Sequence, residues 1–197
     1  MKDRVVAAIK RGEVVILPLE HSYVYACDAF SFASVNRLHQ LRDDPAGVAA
    51  QVLVASAQII DGLAQGVSSD TKALANSFWP GLLTLMLQPN QSLNWDLGDG
   101  GNLKTFALRS PNQAETLEVI SQTGPLAIAT AGLAGTSAVS TISNIHDLEV
   151  LDVGEIPAGP FSTVVAQEGG NLIVNRVGAL TIEELRKVAS AIQLPTE

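Results

Sequence analysis

Cysteine is almost missing from the chain: Cys27 is the only one in 197 residues. One thiol excludes an intrachain disulfide and any zinc cluster built from thiolates. Set among apolar neighbours, it reads as a small core residue rather than a nucleophile. Aromatic residues are scarce at 5%, so the core has to be built from Ala, Val, Leu and Ile. Charge is scarce too, at 16% against 47% hydrophobic, a balance that excludes disorder. Basic residues are outnumbered, 12 against 20, for a net charge of −8. The whole-protein positive field of a nucleic-acid binder is therefore absent, although twelve Lys and Arg could still line a local groove. No apolar run, residues 14–19 included, is long enough to span a bilayer, and no secretory signal is visible at the start. These absences predict a cytoplasmic protein without membrane association.

Three chemical signatures are missing as well. There is no G-x-x-x-x-G-K-[ST] phosphate loop, no G-x-G-x-x-G fingerprint and no nucleophile elbow. His21, His39 and His146 lack metal-ligand spacing.

What is present is an interleaving of strands and helices. β-Branched and apolar runs predict strands over 14–17, 23–29, 51–55, 82–87, 105–108, 126–130, 148–152, 162–166 and 171–176. Helical spacing predicts helices over 4–11, 32–41, 59–63, 71–78, 112–121 and 182–192, the last capped by Thr181. Residues 90–102, rich in Gly, Asn and Asp, read as a loop. The elements do not repeat strictly as β-α-β-α, which predicts one α/β domain over residues 1–197 with a twisted open mixed sheet and flanking helices. Polar residues gather at predicted strand ends: Glu20 and His21, Arg109, Thr130, Ser162 and Arg176, with Arg42 closing a helix. Ligands of open sheets sit beyond strand ends, and arginine suits carboxylates and phosphates. The residues alone thus point to a pocket for an anionic small molecule, or to ordinary loop punctuation carrying solvated arginines.

The order of the motifs resembles the YrdC-like family. Residues 14–23, VVILPLEHSY, are similar to its hydrophobic strand followed by P-T-E-T-x-Y. Residues 78–84, FWPGLLT, are similar to W-P-G-P-L-T, and ALRSP at 107–111 to v-R-x-P. GPLAIATAG at 124–132 sits where the family has P-L-x-x-T-S-A-N, and STVV at 162–165 and RVGA at 176–179 fit S-T-V-V and R-x-G-A. The resemblance implies a large concave cavity in the sheet. It also implies the activity of a threonylcarbamoyl-AMP synthase, a nucleotidyltransferase that joins L-threonine, bicarbonate and ATP with Mg²⁺ for modification of tRNA position 37, alongside other tRNA-modification proteins. By position, His21, Arg109, Ala129 and Ser162 would contact threonine. Arg42, Thr105, Thr130, Ala131, Gly132 and Arg176 would contact the nucleotide. Some family members bind double-stranded RNA or tRNA, so a non-catalytic RNA- or nucleotide-binding relative is the alternative.

Several positions depart from the family pattern. Leu19 and His21 flank Glu20 where the family has threonines, Gly132 replaces an Asn, and Asp44 replaces an Arg in K-x-R-P. Asp44 is expected to reverse a charge beside the triphosphate. One charge pair at about 4 Å and an effective dielectric of 20 is worth roughly 4 kcal/mol. Asp43 and Asp44 otherwise read as a solvated turn before Pro45.

Overall fold

In the first strands every residue but Asp28 is buried, yet alternate side chains go to different cores. Within β1 (Val15–Pro18), Val15 and Leu17 join one apolar cluster while Ile16 joins another. Within β2 (Tyr23–Asp28), Val24 and Ala26 join the first, and Tyr23, Tyr25 and Cys27 the second. Period-2 alternation with apolar residues on both faces belongs to a sheet covered on both sides. Helices α1 (Lys2–Lys10) and α5 (Ala114–Thr123) supply Val5, Ile9, Val119 and Ile120 to one face. Helices α2 (Phe32–Arg42) and α4 (Ser69–Phe78) supply Val35, Leu38, Leu74 and Ala75 to the other.

The computed structural model describes residues 1–142 and 147–194; the reading of His146 falls outside them. The remaining elements are β3 (Gln51–Leu53), α3 (Ile60–Leu63), β4 (Leu83–Leu87), β5 (Phe106–Arg109), β6 (Leu126–Thr130), β7 (Glu149–Val150), β8 (Thr163–Glu168), β9 (Asn171–Arg176) and α6 (Ile182–Arg186). The nine strands form one sheet in the order β7-β1-β2-β6-β3-β5-β4-β8-β9. The pairs β1/β7, β3/β5 and β4/β8 are parallel and the others antiparallel, which makes the sheet mixed, as the sequence predicts. Among the described residues no helix is long and apolar enough to cross a membrane.

The helix predicted over 182–192 is corrected. Thr181 caps it in a reciprocal capping box with Glu184, but α6 stops at Arg186. Beyond it Ala189 and Ile192 are buried, and Gln193 pairs with β9, exchanging hydrogen bonds of 2.8 Å with Leu172 and Val174. Covering an exposed sheet edge outweighs continuing a short helix. The 90–102 loop is better anchored than its composition suggests. Trp95 is buried, with its ring 5.0 Å from Phe106 and 5.2 Å from Phe30. Trp79 is structural: it is buried and its indole Nε1 donates to the Leu83 carbonyl at 2.7 Å.

Tyr23 ties the 152–154 segment to the sheet. Its hydroxyl faces Asp152 Oδ1 at 2.8 Å and the Gly154 carbonyl at 2.7 Å, and accepts the Val153 N–H at 2.9 Å. Burial pushes the phenol up from its ordinary range. The Gly154 N–H, and then the Tyr23 hydroxyl, hold Asp152 below the usual carboxylate range. A depressed carboxylate stabilises the fold above its unfolded value, and that contribution is lost as pH falls through the folded one. Tyr23→Phe removes the hydroxyl that these groups share, a loss of buried hydrogen bonding that should cost about 1–3 kcal/mol. Urea denaturation should show a smaller difference from wild type in strong acid than at neutral pH.

Candidate functional site

Arg109, the last residue of β5, is a guanidinium with only 7% of its side chain exposed, and Glu20, which follows β1, is its counter-charge. Arg109 Nη2 donates to Glu20 Oε2 at 2.8 Å, and the other carboxylate oxygen accepts the Asn112 N–H at 2.7 Å. Burial pushes the guanidinium down from its ordinary range and Glu20 holds it up. Arg109 Nε is buried without a partner among the described residues. An orphan donor of this kind is unfavourable unless something binds it.

The pair sits in a cavity of about 510 Å³. Arg42 and Arg176 line the same cavity, and so do His21, Ala129, Thr130 and Ser162. The three arginines therefore converge on one concave space and do not spread over a convex face. Glu20 is the sole carboxylate among the lining residues.

Each arginine is held in its own way. Arg176, at the end of β9, donates from Nε and Nη2 to the Ser162 carbonyl at 3.2 and 3.0 Å, and lies 5.6 Å from the centre of the Phe161 ring. Ser162 Oγ in turn meets Thr84 Oγ1 at 2.8 Å, which takes Gln51 Nε2 at 3.3 Å. Close approach of the backbone builds this wall: a Cβ on Gly178 would lie 2.3 Å from the Phe161 carbonyl oxygen. Arg42, the last residue of α2, donates from Nη1 to the Thr130 and Gly132 carbonyls and from Nε to Asp44.

His21 faces the Pro157 carbonyl through Nδ1 at 3.2 Å. A carbonyl only accepts, so Nδ1 carries the proton and a neutral ring keeps its lone pair on Nε2. Gly159 makes room for the ring, since a Cβ there would lie 2.2–2.4 Å from three ring atoms.

Other residues singled out in the sequence lie outside the lining. Thr105 is exposed and does not line the cavity; it precedes β5, about 13 Å of extended chain from Arg109. Ala131 is fully buried, donating its N–H to the Tyr23 carbonyl at 3.1 Å, and offers no surface. Gly132 is outside the lining and turns the chain at φ 98°, placing its carbonyl on Arg42. Asp44 is neither a solvated turn residue nor an open negative charge in the pocket. Its side chain is 5% exposed and bound to Arg42 and His39, and it does not line the cavity. Gln51 and Gly159 had no signal as site residues, because their place depends on strand register and loop packing; Thr84 closes the FWPGLLT motif, and its contact with Ser162 depends on the β4–β8 register.

Glu20→Gln would leave the Arg109 charge buried without its partner. It should lower stability by about 3 kcal/mol, read as a fall in the urea midpoint with an unchanged slope.

Comparison with known proteins agrees with this architecture. The Sua5/YciO/YrdC family model, described as telomere recombination, matches residues 7–178. A Mycobacterium tuberculosis H37Rv relative, provisionally named threonylcarbamoyl-AMP synthase, is 31% identical over 193 residues, covering 93% of this chain and 86% of its own. The structure of Pyrococcus abyssi Sua5 complexed with L-threonine superposes with a TM-score of 0.87 at 26% identity, covering 99% of this chain and 60% of that one. Escherichia coli YciO shares the fold, with a TM-score of 0.77 at 16% identity over 93% of this chain and 92% of that one. The chain spans 58% of the length of a Mycobacterium leprae relative that it also matches. With the family model covering most of its length and the cavity built from the family's motif positions, the chain belongs to the Sua5/YciO/YrdC family.

Proposed function

We propose that the chain is an L-threonylcarbamoyl-AMP synthase that makes threonylcarbamoyl-AMP from L-threonine, bicarbonate and ATP for tRNA modification. The observation that carries this reading is Arg109: a buried guanidinium, paired with Glu20, that lines one cavity with two more arginines. A chain with net charge −8 repels anions as a whole, so a site for an amino-acid carboxylate and a triphosphate has to be made locally. The arginine cluster does this. The bound L-threonine of the Pyrococcus abyssi relative supports the same assignment.

In this reading the threonine carboxylate meets the Arg109 guanidinium, and His21 offers Nε2 as an acceptor to the threonine nitrogen. That nitrogen attacks bicarbonate carbon and water leaves, giving a carbamate. A carbamate oxygen then displaces diphosphate from the α-phosphorus of ATP. The arginines hold the reacting groups together and neutralise charge, which is most of what such a transfer requires. Ser162 and Thr130 supply hydroxyls, and Arg42 and Arg176 face the nucleotide. Mg²⁺ enters only with ATP. Among the described residues no group of three His, Cys, Asp or Glu is arranged to hold a metal, and Glu20 is engaged by Arg109 and Asn112.

The test is diphosphate release by the purified chain with ATP, Mg²⁺, bicarbonate and L-threonine. Threonine-dependent release is expected, and Arg109→Ala should reduce it by about 100-fold or more. No release beside an active family member would make the chain a non-catalytic nucleotide- or RNA-binding relative. RNA binding would then have to weaken steeply with salt.

A further inference from the structure

The end of α2 turns back on itself. Asp43 caps the helix in the left-handed region at φ 54°, and the Asp44 N–H donates to the His39 carbonyl at 3.1 Å. The Asp44 side chain is thereby set between two residues of the helix's last turn. Its Oδ2 lies 2.8 Å from His39 Nδ1 and 3.0 Å from Arg42 Nε. All three side chains are largely buried, at 13%, 5% and 13% exposure for His39, Asp44 and Arg42. His39 Nε2 lies 2.8 Å from the Leu97 carbonyl, and a Cβ on Gly98 would fall 2.2 Å from that nitrogen. Carboxylate and carbonyl both accept, so each ring nitrogen of His39 faces an acceptor.

Arg42 is the member of this group that reaches the cavity; Asp44 and His39 line a separate recess. Asp44 holds Nε, and the Thr130 and Gly132 carbonyls hold Nη1. Nη2 is the remaining end of the fork, with no partner among the described residues. A guanidinium tied at three donors has lost its rotamer freedom before a ligand arrives, so less is lost on binding.

We propose that Asp44 and His39 are positioning residues. They hold Arg42 as a fixed cation that receives a phosphate group of the nucleotide, so that the apparent charge reversal at position 44 strengthens anion binding. This rests on the synthase reading only in taking the anion to be the triphosphate of ATP. It makes a prediction of unusual sign. By Coulomb attraction alone, deleting a carboxylate near an anion site tightens binding. If the carboxylate positions the arginine, deleting it weakens binding.

The experiment is calorimetric titration of the full chain with inorganic tripolyphosphate. Asp44→Asn should weaken binding about tenfold. Arg42→Ala should weaken it by at least as much, and adding Asp44→Asn to Arg42→Ala should change nothing further. Tighter or unchanged binding by Asp44→Asn would sink the proposal. So would an equal loss in both backgrounds, or a wild-type chain that does not bind tripolyphosphate. If Asp44→Asn melts below the working temperature, His39→Gln reads the same coupling: a smaller loss that disappears in the Arg42→Ala background. The synthase reading fails separately, through absent threonine-dependent diphosphate release while tripolyphosphate still binds in an Asp44-dependent way.

Discussion

The ion pair between Glu20 and Arg109 sets the shape of the cavity as well as its charge. Four strand spacings of about 4.8 Å separate β1 from β5 in the sheet. The residue following β1 and the last residue of β5 nevertheless touch at 2.8 Å. β1 itself turns back at once into β2, with the Leu19 N–H on the Ser22 carbonyl at 2.8 Å, so it is the segment leaving β5 that runs back to the end of β1, where the Asn112 N–H meets Glu20 at 2.7 Å. Thr116 Oγ1, in the first turn of α5, donates to the Pro18 carbonyl at 2.6 Å and fixes where that crossing ends. A buried guanidinium without Glu20 would be strongly unfavourable, so the crossing and the cation stand or fall together.

The fold was legible because its determinants are local and periodic. The β-branched run at 14–17, the small-residue strand at 126–130 and the Thr181 cap each announce an element within a few residues of its real bounds. The last helix was overextended because the competing partner, the edge of β9, lies outside any local window. The site was legible where a motif residue is also a strand end, as for Arg109, Thr130 and Arg176. It was not legible for Thr105, whose motif neighbours lie on the cavity but whose own position falls at the opposite end of β5. Asp44 was misread for a different reason. Its charge was visible, but its partner His39 becomes a neighbour only once Asp43 takes a left-handed turn.

The three arginines illustrate how an acidic protein can hold anions. Two of them are fixed largely by acceptors that carry no full charge: the carbonyls of Thr130 and Gly132 for Arg42, and that of Ser162 for Arg176. Carbonyl oxygens orient a guanidinium without cancelling it. Where a carboxylate is used, it is set behind the cation, as with Asp44, or shared with a backbone N–H, as with Glu20. The cavity thus keeps positive potential although acidic residues outnumber basic ones across the chain.

Cys27 lies in the middle of this sheet, on β2, with no exposed surface and its thiol pushed up to about 12 by burial. In the folded chain it is neither accessible nor ionised, and alkylating reagents have nothing to react with. It becomes reactive only when β2 separates from the helices covering it. The single thiol is thus a native clock for opening of the sheet: its labelling rate reports how often β2 comes away from the helices covering it, without any engineered probe.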